Sequence, residues 1–295
     1  MPDATAATLD IAKLSPGIGA ELRGLDLWRL DDAGFAALRD AFLRFKVLRI
    51  PGQRHDPLGH IGFSRRLGEV QIHVVDQYRH PDHPEIYEIS NVDRATGKAR
   101  GEHPDPGTLA WHTDLSFMAR PALATILYGI AIPLEGGETE FCDLAAAWDA
   151  LPEAEQRKLA GLRCVHDLAA SRRRSGDIPL TAKQRAGAPP VEHPLMRTHP
   201  ETGRKVLYLS SHIDYVVGMD AAASDALLAR LVAHATQPAR TYRHRWSSGD
   251  VMMWDNRCTM HRATAYDVSG ERRIVQRTVV IGDAPVGPDA PGVER

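Results

Sequence analysis

A mostly-β domain with flanking helices is the fold class this sequence predicts, and three observations carry the prediction. Short runs rich in β-branched and aromatic residues recur along the chain, bounded by Gly, Pro, Asn and Asp turn signals. Between them lie only a few segments with helical apolar spacing. No self-similarity with a period of about 20–50 residues is visible, which argues against solenoids and propellers. Together these describe an antiparallel sandwich or barrel with helices packed outside it.

The elements follow in order. Ile18 to Leu25 reads as a short strand; a helix capped near Asp31–Asp32 then runs from Ala33 to Arg44, with Phe35, Leu38, Phe42 and Leu43 apolar. Val47 to Ile50 is a strand stopped by Pro51-Gly52. His60 to Leu67 is a second amphipathic helix, and Glu85 to Ser90 another strand. Residues 93–107 turn to Gly, Pro, Asp and Lys, the composition of a loop or lid. Leu109 to Phe117, Ala122 to Ile132 and Glu138 to Asp143 are strand-like, with a Glu135-Gly136-Gly137 turn before the last. Ala145 to Leu162 reads as one helix on Trp148, Leu151, Leu159 and Leu162. Ser171 to Pro190, which contains Arg172-Arg173-Arg174, reads as a surface excursion whose basic run is a solvated face, a binding role being the alternative. Lys205 to Ser210 is strand-like and Ala221 to Thr236 helical. Thr241–Trp246 pairs with Val251–Trp254 as a hairpin across residues 247–250, and Arg272 to Ile281 is the last strand. The domain is expected to span residues 1–281, with residues 282–295 a flexible tail.

Composition excludes whole classes. Hydrophobic residues are 43% and charged residues 25% of 295, which is globular and sufficient for a sizeable core. Lys plus Arg (36) nearly balances Asp plus Glu (38), so no global positive field invites nucleic acid. Three cysteines without a CxxC pair suggest neither a disulfide framework nor a thiolate zinc site, and a reducing, cytoplasmic setting is expected. The start lacks a basic region followed by a long apolar one, and the longest apolar stretch is interrupted by Pro133. No export signal or membrane span is therefore expected. Homo-oligomerisation is left open.

Histidine, at 14 residues, is the unusual count. His-x-Asp on a strand puts two lone-pair side chains on one face, as a metal site needs. Four such tripeptides occur: His80-Pro81-Asp82, His103-Pro104-Asp105, His112-Thr113-Asp114 and His212-Ile213-Asp214. Proline breaks the period-two argument in the first two. His112-Thr113-Asp114 lies between Trp111 and Leu115-Ser116-Phe117, a context able to hold ligands rigidly. His212 and Asp214 are either part of the same pocket or ordinary hydrogen-bonded residues. A third ligand must come from elsewhere, and His261 lies just past the expected hairpin. Two His and one carboxylate on one face of an octahedral ion leave three positions free, the arrangement of non-haem Fe(II) oxygenases.

At these residues a resemblance becomes specific. Trp111-His112-Thr113-Asp114, Gly136-Gly137-Glu138-Thr139, Trp254-Asp255-Asn256 with His261, and Arg272-Arg273-Ile274-Val275-Gln276-Arg277 are similar to the Fe(II)/2-oxoglutarate dioxygenases of the taurine dioxygenase/2,4-dichlorophenoxyacetate dioxygenase family. The similarity runs from Gly17 to about Ile281. Gly136 to Leu162 and the segment 199–205 are nearest the phenoxyacetate-cleaving branch. The resemblance implies a double-stranded β-helix, or jelly roll, with Fe(II), 2-oxoglutarate and O2 as cofactor and cosubstrates. It implies that His112, Asp114 and His261 bind iron, that Thr139 and Arg273 hold the distal carboxylate of 2-oxoglutarate, and that Arg277 holds the anion of the substrate. Arg273 stands one residue further from His261 than the family spacing, so Arg272 competes for its role. On a strand, Arg273, Val275 and Arg277 share a face; the alternative is an exposed edge strand with solvated arginines. His73 resembles a substrate-contacting histidine of the taurine branch, and Asn91, His212 and Ile213 fall where the family builds its pocket wall.

The implied reaction is hydroxylation of a small anionic substrate, most simply an aryloxyalkanoate. Hydroxylation beside the ether oxygen gives a hemiacetal that collapses to a phenol and an oxo acid. A taurine, alkylsulfonate or sulfate-ester dioxygenase is the alternative within the family, and a non-catalytic or hydrolytic metal-binding jelly roll the alternative outside it. Alanine at His112 or Asp114 is expected to remove turnover and leave the fold intact.

Overall fold

The computed structural model describes residues 9–287 of the chain. Two β-sheets face one another as the jelly roll expected. The larger runs, in spatial order, Asp10–Lys13, Ala20–Arg23, Val47–Ile50, Val251–Asp255, Ala122–Ala131, Ile274–Ile281 and Tyr87–Ser90. Its neighbours pair antiparallel except Ala20–Arg23 with Val47–Ile50, which are parallel. The smaller sheet places Thr139–Asp143 between Thr241–His244 and Thr259–Ala263.

Alternation assigns the two faces of the large sheet. Leu48, Ile50, Ala124, Ile126, Met253 and Val280 point outward and pack with Leu38, Phe42 and Phe63 of two helices, Asp32–Phe45 and Pro57–Leu67. Asp31 and Asp56 cap those helices by accepting hydrogen bonds from Gly34 and Gly59. Val47, Leu127, Met252, Trp254 and Val275 point inward and meet Phe141 of the small sheet. The site lies on this inner side, between the sheets.

Several expectations change. Thr241–Trp246 and Val251–Trp254 do not form a hairpin: Thr241–His244 pairs with Thr139–Asp143, whereas Val251–Asp255 pairs in the large sheet. The turn 247–250 crosses between layers rather than folding a ribbon onto itself. The helix expected over 145–162 is two, Leu144–Asp149 and Glu153–Leu159, broken where Pro152 cannot supply an amide proton. The excursion at 171–190 contains helices Leu168–Ser175 and Ala182–Gly187, and Arg172 is buried. A further sheet, in the order Ile213–Val216, Arg163–His166, Val191–Pro194, was not foreseen. Within the expected tail, the Gly282 amide donates to Pro121 and the Val286 carbonyl accepts from Thr198; residues 288–295 lie outside the described residues. Among the described residues no helix is long and apolar enough to cross a membrane.

Candidate active site

His112 does not lie on a regular strand as expected. It follows the short helical turn Pro106–Leu109 and makes an isolated bridge to His261, each backbone amide donating to the other's carbonyl at 2.9 Å. That bridge, rather than an i, i+2 face, brings the two rings to a centroid distance of 4.1 Å. Thr113 faces away, its hydroxyl donating to the Leu209 and Thr259 carbonyls. Leu115, at φ 55°, then turns the chain sharply out of the site.

Asp114 lies 3.9 Å from His112 Nε2 through Oδ1 and 3.6 Å from His261 Nε2 through Oδ2. One ligand atom from each of the three residues falls within 4.8 Å of the others, and all three residues are buried. The Nδ1 of His112 is 2.8 Å from the Ala110 carbonyl, which fixes the ring proton there and leaves the Nε2 lone pair for a cation. Burial opposes ionisation of Asp114, but the Arg277 guanidinium and the two imidazoles hold its carboxyl well below the usual range. The donor set is thus a carboxylate and two imidazoles, and it fits a first-row divalent ion.

Three residues position Asp114 in roles the sequence did not reveal, although Trp254 and Asn256 belong to a motif noted there. Thr125 donates to its Oδ2 at 2.7 Å, Asn256 Oδ1 accepts its backbone amide at 3.1 Å, and Asn256 Nδ2 donates back to Thr125 at 2.9 Å. Trp254 Nε1 donates to the same Asn256 oxygen, locking the amide orientation. A signal was available in Thr125, a hydroxyl on the inward face of an otherwise apolar strand.

Beside the triad a narrow cleft is bounded by Thr139, Trp254, His261, Arg273 and Arg277. Arg273 is 3% exposed and Arg272 is exposed, so Arg273 is the arginine facing the cleft. Its backbone amide is held by Asn91 Oδ1 at 2.8 Å and its Nε by the Gly137 carbonyl at 3.3 Å. No carboxylate among the described residues comes within salt-bridge distance of it, and burial pushes its pKa down to about 10. A buried guanidinium in that state is a binding position for an anion. Thr139 supports it: its hydroxyl accepts from Trp246 Nε1 at 3.0 Å, which frees its own proton for an acceptor.

A larger cavity of about 630 Å³ opens on the other side of the triad. His73, His212, Ile213 and Arg277 line it, together with Tyr87, Trp111, Phe117 and Leu168. His73 is pushed down to about 3 by burial and by Arg277, so it is neutral. Its Nδ1 accepts the Val75 amide at 3.1 Å, which leaves Nε2 as the proton donor. His212 is likewise lowered to about 3, by burial and by His112, and its Nδ1 is 2.9 Å from the Ser171 hydroxyl. Arg277 donates from Nη1 to Asp114 Oδ1 at 2.7 Å and lies 4.6 Å over the Tyr87 ring, and its buried Nε has no hydrogen-bond partner among the described residues.

Asn91 does not join this wall. Its amide is spent on the Val268 and Glu271 carbonyls and on the Arg273 amide, so it sets the register of Arg273 from behind. A second cluster, His199, Asp255 and Cys258, is an ion-pair network: Asp255 accepts from Arg257 at 2.8 and 2.7 Å and from His199 at 3.0 Å.

Comparison with known proteins adds to this geometry. The family model described as taurine catabolism dioxygenase TauD, TfdA family matches residues 10–279. The alpha-ketoglutarate-dependent 2,4-dichlorophenoxyacetate dioxygenase of Cupriavidus pinatubonensis is 40% identical over 248 residues, 81% of this chain and 86% of that protein. The alpha-ketoglutarate-dependent sulfate ester dioxygenase of Pseudomonas putida is 34% identical over 297 residues, covering 96% and 93%. Among solved structures, that of AAD-2 in complex with Mn(II) and N-oxalylglycine superposes with a TM-score of 0.81 at 32% identity, covering 95% of this chain and 99% of that one.

Proposed function

The chain belongs to the taurine catabolism dioxygenase TauD, TfdA family and is a 2-oxoglutarate-dependent dioxygenase; on that premise we propose that it uses Fe(II) to hydroxylate and cleave an aryloxyalkanoate. The observation that carries the reading is Arg273, buried without an acid in a cleft that it shares with both triad histidines. A hydrolase has no use for a second carboxylate clamp beside its metal.

His112, Asp114 and His261 would hold the iron, and Thr139 and Arg273 the distal carboxylate of 2-oxoglutarate. With O2 and that cosubstrate, iron supplies the oxidising power to replace a C–H bond by C–OH. The protein's part is position and exclusion of water. Thr125 and Asn256 keep Asp114 from rotating, and the Ala110 carbonyl keeps His112 in one tautomer. Arg277 Nε and the neutral His73 offer two donors at the inner end of the large cavity, where a substrate carboxylate binds. Trp111, Phe117 and Leu168 give an aryl group an apolar wall. That combination favours an aryloxyalkanoate, as in the Cupriavidus relative. A sulfate ester is the second reading, because Arg277 and His73 suit any small anion and the Pseudomonas relative is named for that substrate. The three free, buried cysteines fit the reducing cytoplasm we propose as its setting.

Incubation with Fe(II), 2-oxoglutarate, O2 and phenoxyacetate is expected to yield succinate, phenol and glyoxylate in equal amounts. Succinate without phenol, alongside sulfate release from an alkyl sulfate ester, would replace the first reading by the second. Arg277→Ala is expected to raise the Michaelis constant for the anionic substrate about 100-fold, the scale for removing one partner of a buried charge pair. The Michaelis constant for the cosubstrate should change much less; equal rises in both would place Arg277 on the cosubstrate instead.

A further inference from the structure

Two neighbouring acids, Asp105 and Asp177, stand in the wall of the substrate cavity. Asp105 and Asp177 are 8% and 9% exposed. Asp105 accepts from the Tyr87 hydroxyl at 3.1 Å, and Asp177 Oδ1 accepts from Arg172 Nη2 at 2.8 Å. Burial and the neighbouring Asp105 carboxyl raise the pKa of Asp177. Asp177 Oδ2 is buried with no hydrogen-bond partner among the described residues.

On the far side of this pair lies a second basin of about 660 Å³. The two segments carrying the pair alternate between cavities: Asp105 and Gly107 face inward and Pro104 and Pro106 outward, while Ser175 faces inward and Gly176 and Ile178 outward. Asp177 borders both. These two segments therefore form the wall between the spaces, and Asp177 is the side chain of theirs that borders both.

We propose that the Asp105–Asp177 pair is the partition that sets how long a substrate the cavity admits. The inference rests on the reading that the inner cavity takes the substrate, its anion at Arg277 and its far end toward Tyr87. Tyr87 spans that distance, its ring under Arg277 and its hydroxyl on Asp105. A ligand that outgrows the inner cavity must break the pair to enter the basin. Shortening either acid joins the two spaces.

The test compares phenoxyacetate with biphenyl-4-yloxyacetate, which carries one further ring on the same anion. Binding is followed by quenching of tryptophan fluorescence, since Trp111 lines the cavity, and turnover is followed separately by succinate release. In Asp177→Ala and in Asp105→Ala, the affinity for the longer acid relative to the shorter is expected to rise about tenfold, the lower end of what pocket size alone discriminates. Asp177→Asn keeps the wall and gives Asp105 an amide donor, so its ratio should remain that of the wild type. Asp105→Ala leaves the Arg172–Asp177 pair intact and so guards against a failure to fold. An unchanged ratio in both alanine variants, with phenoxyacetate still turned over, overturns the partition and leaves the substrate reading standing. A raised ratio in proteins that turn over neither acid sustains the partition and refutes the aryloxyalkanoate reading.

Discussion

Asp114→Ala is expected to abolish turnover and also to lower the stability of the metal-free protein by about 3–5 kcal/mol, the cost of leaving a buried charge without its partner. The carboxylate is a candidate iron ligand, and it is also the acid that neutralises Arg277, 6% exposed and 2.7 Å away. It further accepts the Thr125 hydroxyl. His112→Ala should abolish turnover as completely with a smaller loss of stability, because among the described residues the ring's one hydrogen bond is to the Ala110 carbonyl. The expectation that both variants leave the fold intact therefore changes for Asp114. Urea unfolding of the two metal-free variants checks it. Equal stability losses would show that the Asp114–Arg277 pair contributes nothing beyond the metal site.

Arg273→Met is expected to raise the Michaelis constant for the cosubstrate about 100-fold or more, as for other buried charge-assisted pairs that lose one member. The same change should leave the stability of the cosubstrate-free protein unchanged or higher. Arg273 is buried without an acid, so methionine of similar length removes an uncompensated charge while keeping most of the packing. Few binding-site residues combine a large functional loss with no stability loss, and the combination is what an anion clamp built without a protein acid predicts. Arg272→Ala, at an exposed position, should alter neither quantity. Cosubstrate titration in turnover assays, paired with thermal unfolding of each variant, reads both. A cosubstrate defect in Arg272→Ala with none in Arg273→Met would shift the register by one residue.

The sequence was most informative where one local pattern decided the outcome. The Asp31 cap and the spacing of Leu38 and Phe42 gave the first helix within a residue or two, and Ala221–Ala235 was equally plain. The alternation of Arg273, Val275 and Arg277 placed both arginines inward. Pairing partners were less legible, because Thr241–His244 and Val251–Asp255 look like a hairpin by spacing although each finds its hydrogen bonds on a different sheet. His112, Asp114 and His261 come together for a reason other than the expected strand alternation: His112 and His261 converge through a backbone bridge, and Asp114 is aimed by Thr125 and Asn256. Contacts between residues 131 positions apart leave no periodic trace. Arg172 shows the same limit, since a basic triplet reads as a solvated face until a helix turns one member inward beside Asp177.

The most direct measurement is an anaerobic titration of the Fe(II)-loaded protein with 2-oxoglutarate, followed in the visible range. A weak metal-to-ligand charge-transfer band should appear at one cosubstrate per chain, be lost in His112→Ala, and shift when phenoxyacetate is added. No band from folded protein shown to retain its iron would contradict the assignment of His112, Asp114, His261, Thr139 and Arg273 as one oxygenase centre.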